Sequence, residues 1–220
     1  MHLSLDFWRT LCFSNPEYSE RRLDFLKSTL GVSREILHES LVEIGRFADY
    51  RNSSGHMTIE GMYLMLFASI ENKTQEKGLM GRLSPAQARA EIDALFLQYP
   101  PLINEPLFEL IAVDEYGSFN LSSNTGYIKG ELIQAFLESS YDKIEFNFFV
   151  FSDEIGASKP QVDFFRAVRK RVGSRDVVHV GDDLYADVYG AVSSGIPALY
   201  YKNEQLIPYS VDEQTSNFYS

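Results

Sequence analysis

An α/β architecture is predicted: a Rossmann-like parallel-sheet core with helices on both faces, into which a purely helical bundle is inserted. Three observations carry this reading. From Asn104 onward, apolar strand-like runs alternate with helical segments, the pattern of a parallel sheet with crossover helices. Between Asn15 and Pro101 almost every segment has helical period instead. A single apolar strand, Leu3 to Phe7, precedes that block, so the sheet must be assembled from both ends of the chain.

Each element has its own justification. Leu3 to Phe7 reads as a buried strand carrying Asp6 near its tip. Leu37, Leu41, Ile44 and Ala48 recur at i, i+4, i+7 and i+11, a one-faced helix. Ile59, Met62, Tyr63, Leu66, Phe67 and Ile70 repeat the stripe, and Leu64, Met65 and Ala68 extend it around the helix, which places this helix centrally in the bundle. Ser84, Pro85 and Gln87 form a capping box with proline in the first turn, and Pro100-Pro101 stop that helix. The core then follows: helix Leu107–Val113, strand Phe119–Ser122, helix Lys129–Glu138, strand Phe146–Phe151, helix Val162–Val172, strand Val177–Val180, helix Ala186–Ser193 and strand Pro197–Tyr201. The tail after Lys202 is polar and is expected to be poorly ordered. The expected division is a core of residues 1–14 and 104–220 around a cap of residues 15–103.

Composition narrows the function classes. A net charge of −11 argues against a nucleic-acid binder, which needs a clustered basic face. The basic run Arg166, Arg169, Lys170 and Arg171 reads as the solvated side of one helix. The charge also repels anionic membranes, and the longest apolar stretch, Met62 to Ile70, is far too short for a span. Cys12 is the single cysteine, so there is no internal disulfide, which suits a reducing compartment. With no basic-then-apolar leader, a cytoplasmic location is expected, as a monomer or homodimer. A thiol-phosphatase loop would need arginine where Tyr18 stands, so Cys12 reads as a quiet thiol.

Ligands of open parallel sheets sit at the carboxyl ends of the strands. The predicted strands lead into Asp6-Phe7-Trp8-Arg9-Thr10, Ser123-Asn124-Thr125-Gly126, Ser152 through Lys159-Pro160, and Gly181-Asp182-Asp183 with Asp187. Carboxylates, a hydroxyl and a lysine thus converge on one edge. Clustered carboxylates call for a cation, and an all-oxygen set favours Mg²⁺. A carboxylate nucleophile with a lysine and a hydroxyl beside it suits phosphoryl transfer.

This order of motifs resembles the haloacid dehalogenase (HAD) superfamily, with the helical block in the place of its C1-type cap. The resemblance implies a hydrolase with Asp6 as nucleophile and Thr10 closing motif one. It implies Ser123 as the motif-two hydroxyl, Lys159 as the motif-three lysine and Asp182 as the direct metal ligand. Asp183 and Asp187 match positions that act through metal-bound water, and the carbonyl of Trp8 matches a further ligand. Trp8, Arg9, Ser123, Asn124 and Lys159 are then the positions expected to meet a small phosphorylated substrate. Arg46, Arg51, His56 and Arg82 of the cap read as surface residues, and His179 as a packed histidine.

One departure matters. Phosphatases of this superfamily carry a second aspartate two residues after the nucleophile, and here that position is Trp8. An indole cannot exchange a proton, and general acid–base help is worth ~10²–10⁴-fold. Two hypotheses follow: a Mg²⁺-dependent phosphohydrolase acting through Asp6, or a catalytically impaired ligand-binding protein. Dehalogenase and phosphonatase chemistry are further alternatives. The first fits poorly with the retained Asp182, Asp183 and Asp187. The second needs a cap lysine, for which Lys27 and Lys73 are available but unmarked.

Overall fold

The computed structural model describes residues 1–51, 56–111, 117–140, 144–173 and 176–210. Its centre is β1 (His2–Leu5), all four residues of which are buried. Two short strands, β2 (Cys12–Phe13) and β3 (Leu102–Ile103), pair antiparallel with each other. The main sheet is completed by β4 (Ser118–Ser123), β5 (Phe146–Phe151), β6 (Val177–Gly181), β7 (Ala198–Lys202) and β8 (Gln205–Tyr209), in the order β5-β4-β1-β6-β7-β8. β1 pairs in parallel with β4 and β6, so the first strand of the chain lies inside a sheet whose other strands follow the helical block. The β4–β5 and β6–β7 pairs are also parallel, and among the described strands of this sheet only β8 runs antiparallel.

Period-two alternation gives the two faces of β1 different chemistry. Leu3 and Leu5 pair in register with Phe119 and Leu121 and join a core cluster that continues into the helical block. His2 and Ser4 face the other way, in register with Ser118 and Asn120 and, across β6, with Val177 and His179. The His2 ring bonds Ser118 Oγ at 2.6 Å and Asn120 Oδ1 at 2.8 Å, and Ser4 Oγ lies 2.8 Å from Ser122 Oγ. Buried polar groups are tolerable when partnered in this way. Phe148 stacks on His2 and Phe165 meets His179 edge-on, closing a second apolar cluster around Phe164, Val168, Val188 and Ala191.

Among the described residues, four α-helices and a short 3-10 turn (Leu79–Gly81) lie between β2 and β3: α1 (Pro16–Leu30), α2 (Arg34–Arg51), α3 (Ile59–Thr74) and α4 (Pro85–Gln98). Asn15 caps α1 by accepting from the Glu17 N–H, and Ser84 and Gln87 form the reciprocal capping box of α4. The stripe from Ile59 to Ile70 is the buried face of α3. Leu64 and Ala68, however, are exposed, so α3 is one-faced and not the centre of the bundle. The linkers on either side of the helices are tied together. Cys12 pairs with Ile103 and Phe13 with Leu102. Next to them the buried Asn104 donates from Nδ2 to Thr10 O at 2.6 Å and accepts from the Tyr201 hydroxyl at 3.2 Å.

After this β2–β3 neck come α5 (Glu105–Leu110), α6 (Gly130–Ser140), α7 (Ser152–Ile155), α8 (Val162–Val172) and α9 (Gly190–Ser193). α5 starts two residues before the expected Leu107, because Pro106 suits a first turn; Ala112 and Val113 lie outside the described residues. The segment expected as one helix from Ala186 opens as a π-helical turn, Leu184–Tyr189, before α9. The polar tail is also corrected. Gln205–Tyr209 forms β8, turning back on β7 through Asn203 and Glu204, whose φ values of 49° and 57° suit a tight hairpin. The tail beyond residue 210 lies outside the described residues. Among those described, no helix is long and apolar enough to cross a membrane.

Candidate active site

Three strand ends deliver the charged groups. Asp6 follows β1, Lys159 lies between α7 and α8, and Asp182 and Asp187 follow β6. Lys159 Nζ lies 2.5 Å from Asp6 Oδ1 and 2.5 Å from Asp187 Oδ1, and all three side chains are almost fully buried. One carboxylate oxygen from each of Asp6, Asp182 and Asp187 falls within 4.8 Å of the others.

Charge in so dry a place is held by its partners. Burial disfavours the Lys159 ammonium, but Asp187 and Asp6 outweigh that and raise its pKa. Burial would also raise Asp187; Lys159 and His179 reverse this and hold it well below the usual carboxylate range. Asp6 sees the same burial with fewer donors. It is pushed up to about 7, with Lys159 pulling downward and Asp187 upward. Asp182 is lifted by burial to about 6 against the pull of Arg9. The difference between Asp187 and Asp6 follows from their contacts. Asp187 receives Lys159, His179 Nε2 at 3.1 Å and the Asp183 N–H at 3.0 Å, whereas Lys159 is the side chain bonded to Asp6.

The expected site residues divide by what they touch. Asp183 caps the π-helical turn, accepting from the Tyr185 and Ala186 N–H groups at 2.8 Å each. Arg9 has a positive φ of 61° and points its guanidinium at Asp182, with Nε 3.0 Å from Oδ2. Asn124 spends its amide on the Lys159 backbone, accepting from N–H at 2.8 Å and donating to C=O at 3.0 Å. Ser123 is fully buried and its hydroxyl donates to the Asn124 carbonyl at 3.2 Å. Thr10 is buried beside the neck, and its Oγ1 has no hydrogen-bond partner among the described residues. Trp8 packs edge-on against Phe7 and Phe96, at ring distances of 4.7 and 6.5 Å, and lines a cleft of about 260 Å³. The turn carrying its carbonyl is closed by Cys12 N–H to Phe7 O at 2.8 Å and Arg9 N–H to Cys12 O at 2.7 Å.

Several participants are not evident from motif order. His179 holds Asp187 from inside β6 and links it, through Nδ1 at 3.2 Å from Ser4 Oγ, to the polar face of β1. Its place two residues before Gly181, on the alternating face, is the signal that could have found it. Gly181 lies against Asp187: a Cβ there would fall 2.1 Å from Asp187 Cγ. His56, expected at the surface, instead lines the Trp8 cleft, with Nδ1 3.0 Å from Ser158 Oγ, because Ser158 reaches it from the loop before Lys159. Arg46 is exposed, Arg82 binds Glu76 and the Leu30 carbonyl away from the cleft, and the Arg51 side chain lies outside the described residues.

The donor set fits a small hard cation, being all oxygen and all carboxylate. Asp6 and Asp182 would hold it most directly, because both Asp187 oxygens already accept protein donors.

No protein-family model matches the sequence, and a comparison with curated proteins finds no match. Solved structures do match. The HAD-hydrolase YfnB from Bacillus subtilis, bound to magnesium, superposes with a TM-score of 0.73 at 16% identity, over 95% of this chain and 92% of that one. A HAD phosphatase from Thermococcus onnurineus gives 0.61 at 21% identity, over 91% and 86%. A 2-haloacid dehalogenase from Pseudomonas syringae pv. tomato gives 0.59 at 19% identity, over 91% and 85%. Chains named for both chemistries thus superpose on nine-tenths or more of this one, and this chain has the haloacid dehalogenase fold.

Proposed function

We propose that the protein is a Mg²⁺-dependent phosphohydrolase acting on a small phosphorylated metabolite through Asp6. The observation that carries this reading is the buried cluster of Asp6, Lys159, Asp182 and Asp187, whose carboxylate oxygens gather within 4.8 Å. In this reading an Asp6 oxygen attacks phosphorus, the ester P–O bond breaks, and the alkoxide leaves with a proton from water. Water then adds to phosphorus, the bond to Asp6 breaks, and phosphate and free carboxylate result. Lys159 stands beside the Asp6 oxygen and offers its charge to the transferring group. Asp187 and His179 orient Lys159, and Asn124 fixes its backbone. A bound Mg²⁺ would supply charge neutralisation on the phosphoryl oxygens. The residues proposed for it are Asp6, Asp182 and the Trp8 carbonyl, with Asp183 and Asp187 supporting them.

A second reading is favoured by Trp8, whose indole takes the acid–base position and packs on Phe7 and Phe96. Here the protein binds a phosphorylated ligand without turning it over. The deciding experiment is a screen of phosphorylated metabolites and a chromogenic phosphate ester with Mg²⁺, with Asp6→Asn alongside. Turnover abolished by the variant supports the hydrolase. Equal turnover in both removes Asp6 as nucleophile, and silence with ligand binding retained supports the second reading. The two domains proposed, core 1–14 and 104–220 and cap 15–103, meet at the β2–β3 neck.

A further inference from the structure

The cleft beside Trp8 is lined from the helical block by Tyr18 and Arg22 of α1 and from the core by Tyr127, in the loop after β4. Its polar atoms are unusual in being unused. Tyr18 Oη, Tyr127 Oη and Arg22 Nε are all buried, and none has a hydrogen-bond partner among the described residues. Tyr63 Oη, on a ring 5.2 Å from that of Tyr127, is in the same condition. Buried polar groups left without partners are costly and rare in folded proteins. Four in one cluster mark a place built to receive something.

The donors say what that is. Arg22 forms no ion pair among the described residues; its guanidinium lies over the Tyr18 ring at 5.6 Å and the Tyr127 ring at 5.8 Å. Two ring faces strip water from a cation in a chain whose net charge is −11. Burial raises the pKa of Tyr18 and Tyr127 against the downward pull of Arg22, which stands close enough to Tyr18 to interact with its hydroxyl, so both hydroxyls stay protonated and able to donate. Asp93, whose charge reaches Tyr18 and Tyr63, lies outside the cleft; Arg89 Nε stands 3.7 Å from its Oδ2, and its buried Oδ1 has no hydrogen-bond partner among the described residues. A guanidinium with hydroxyl donors around it recognises an anion. At about 260 Å³ the cleft lies below the roughly 300 Å³ where pockets for drug-sized ligands begin, so the ligand is small.

We propose that Arg22, Tyr18 and Tyr127 form a subsite for a second anionic group of the substrate, a carboxylate or a phosphate remote from the bond broken at Asp6. The placement suits this, because Trp8 and Asn124, which line the same cleft, sit next to the Asp6 turn and on the Lys159 backbone. The inference rests on the reading of Asp6 as the reacting carboxylate. It narrows the substrate class to small phosphate esters that carry a second negative charge.

The test uses three probes of matched length with the full chain and Mg²⁺: 2-phosphoglycolate, ethane-1,2-diyl bisphosphate and the uncharged-tail 2-hydroxyethyl phosphate. kcat/KM is measured for the wild type, Arg22→Met and Tyr127→Phe. Kd is measured by calorimetry in the Asp6→Asn background with and without Arg22→Met. A charge-assisted contact predicts that at least one doubly anionic probe is preferred over 2-hydroxyethyl phosphate by about ten-fold or more. The better of the two tails distinguishes carboxylate from phosphate. Arg22→Met should collapse the preference to within about two-fold, and Tyr127→Phe, which removes only a hydroxyl, should reduce it by roughly three- to ten-fold. Turnover without any preference, or a preference untouched by both variants, overturns the subsite and leaves the hydrolase standing; the cleft then holds water only. A tail preference in Kd without turnover of any probe supports the subsite and counts against the hydrolase.

Discussion

The side-chain amide of Asn124 grips the backbone of Lys159 from both sides, accepting its N–H at 2.8 Å and donating to its carbonyl at 3.0 Å. The loop after β4 and the loop before α8 are thereby locked in register, and Lys159 Nζ is delivered between Asp6 and Asp187. Replacing Asn124 by alanine removes both bonds at a cost of about 1–3 kcal/mol. Chemical denaturation should show that loss, and any turnover should fall with it. Asn124→Asp keeps the acceptor but cannot donate, so it should fall between wild type and alanine; equal stability of all three would refute the clamp.

Gly181 of β6 lies against Asp187, and a methyl there would overlap its carboxylate carbon at 2.1 Å. Overpacking typically costs about 1–3 kcal/mol. Gly181→Ala should cost at least that, because Asp187 cannot move without abandoning Lys159 and His179. The midpoint of urea unfolding measures it, and a neutral substitution would show that Asp187 has room to shift.

The pH dependence has a definite sign. Asp6 and Asp182 ionise near pH 7 and 6 in the folded chain, raised by burial from an ordinary value of 3.8. Between about pH 4 and 7 the folded state therefore binds more protons than the unfolded one, and stability falls as pH rises. Asp187 is depressed instead, so its contribution is complete above about pH 4 and is lost only in stronger acid. Denaturation in a chelator at pH 5 and pH 7.5 should show lower stability at the higher pH, with Asp6→Asn flattening the difference. Excess Mg²⁺ should restore stability at pH 7.5, since an ion that binds the folded state stabilises it. A profile that rises with pH would contradict the burial of Asp6.

Trp8 joins packing and chemistry. Trp8→Asp loses the edge-on contacts with Phe7 and Phe96 and should destabilise by about 2–4 kcal/mol. If the missing proton carrier limits phosphate release, the same variant should turn over faster, by up to ~10²-fold. Lower stability with unchanged turnover would mean that another group or water performs this step.

Much of the architecture was legible because it is written locally. The alternation after Asn104, the stripe from Ile59 to Ile70 and the Ser84–Gln87 box are all short-range patterns, and each became the element expected. Motif order brought Asp6, Lys159, Asp182 and Asp187 to one place. What stayed hidden depends on rotamers and on partners distant in the chain. Asp183 and Asp187 are four residues apart and alike in sequence, yet one caps a turn and the other is buried on Lys159. Nothing local says that Arg9 turns toward Asp182, or that Arg22 meets Tyr127 across the cleft. β8 is not legible in the sequence because Gln205, Pro208 and the exposed Ile207 lack the alternation of a half-buried strand.

That hairpin bears on how the molecule behaves in a crowd. A sheet edge is a row of open backbone groups that another chain can extend. Here the β7 side is already occupied by β8, and β8 carries Pro208, opposite Leu199, which offers no N–H to a newcomer. Cutting the chain before Gln205 would therefore expose β7, with Leu199, Tyr200 and Tyr201, to neighbouring copies, and self-association would rise while the charged cluster at Asp6 stayed intact.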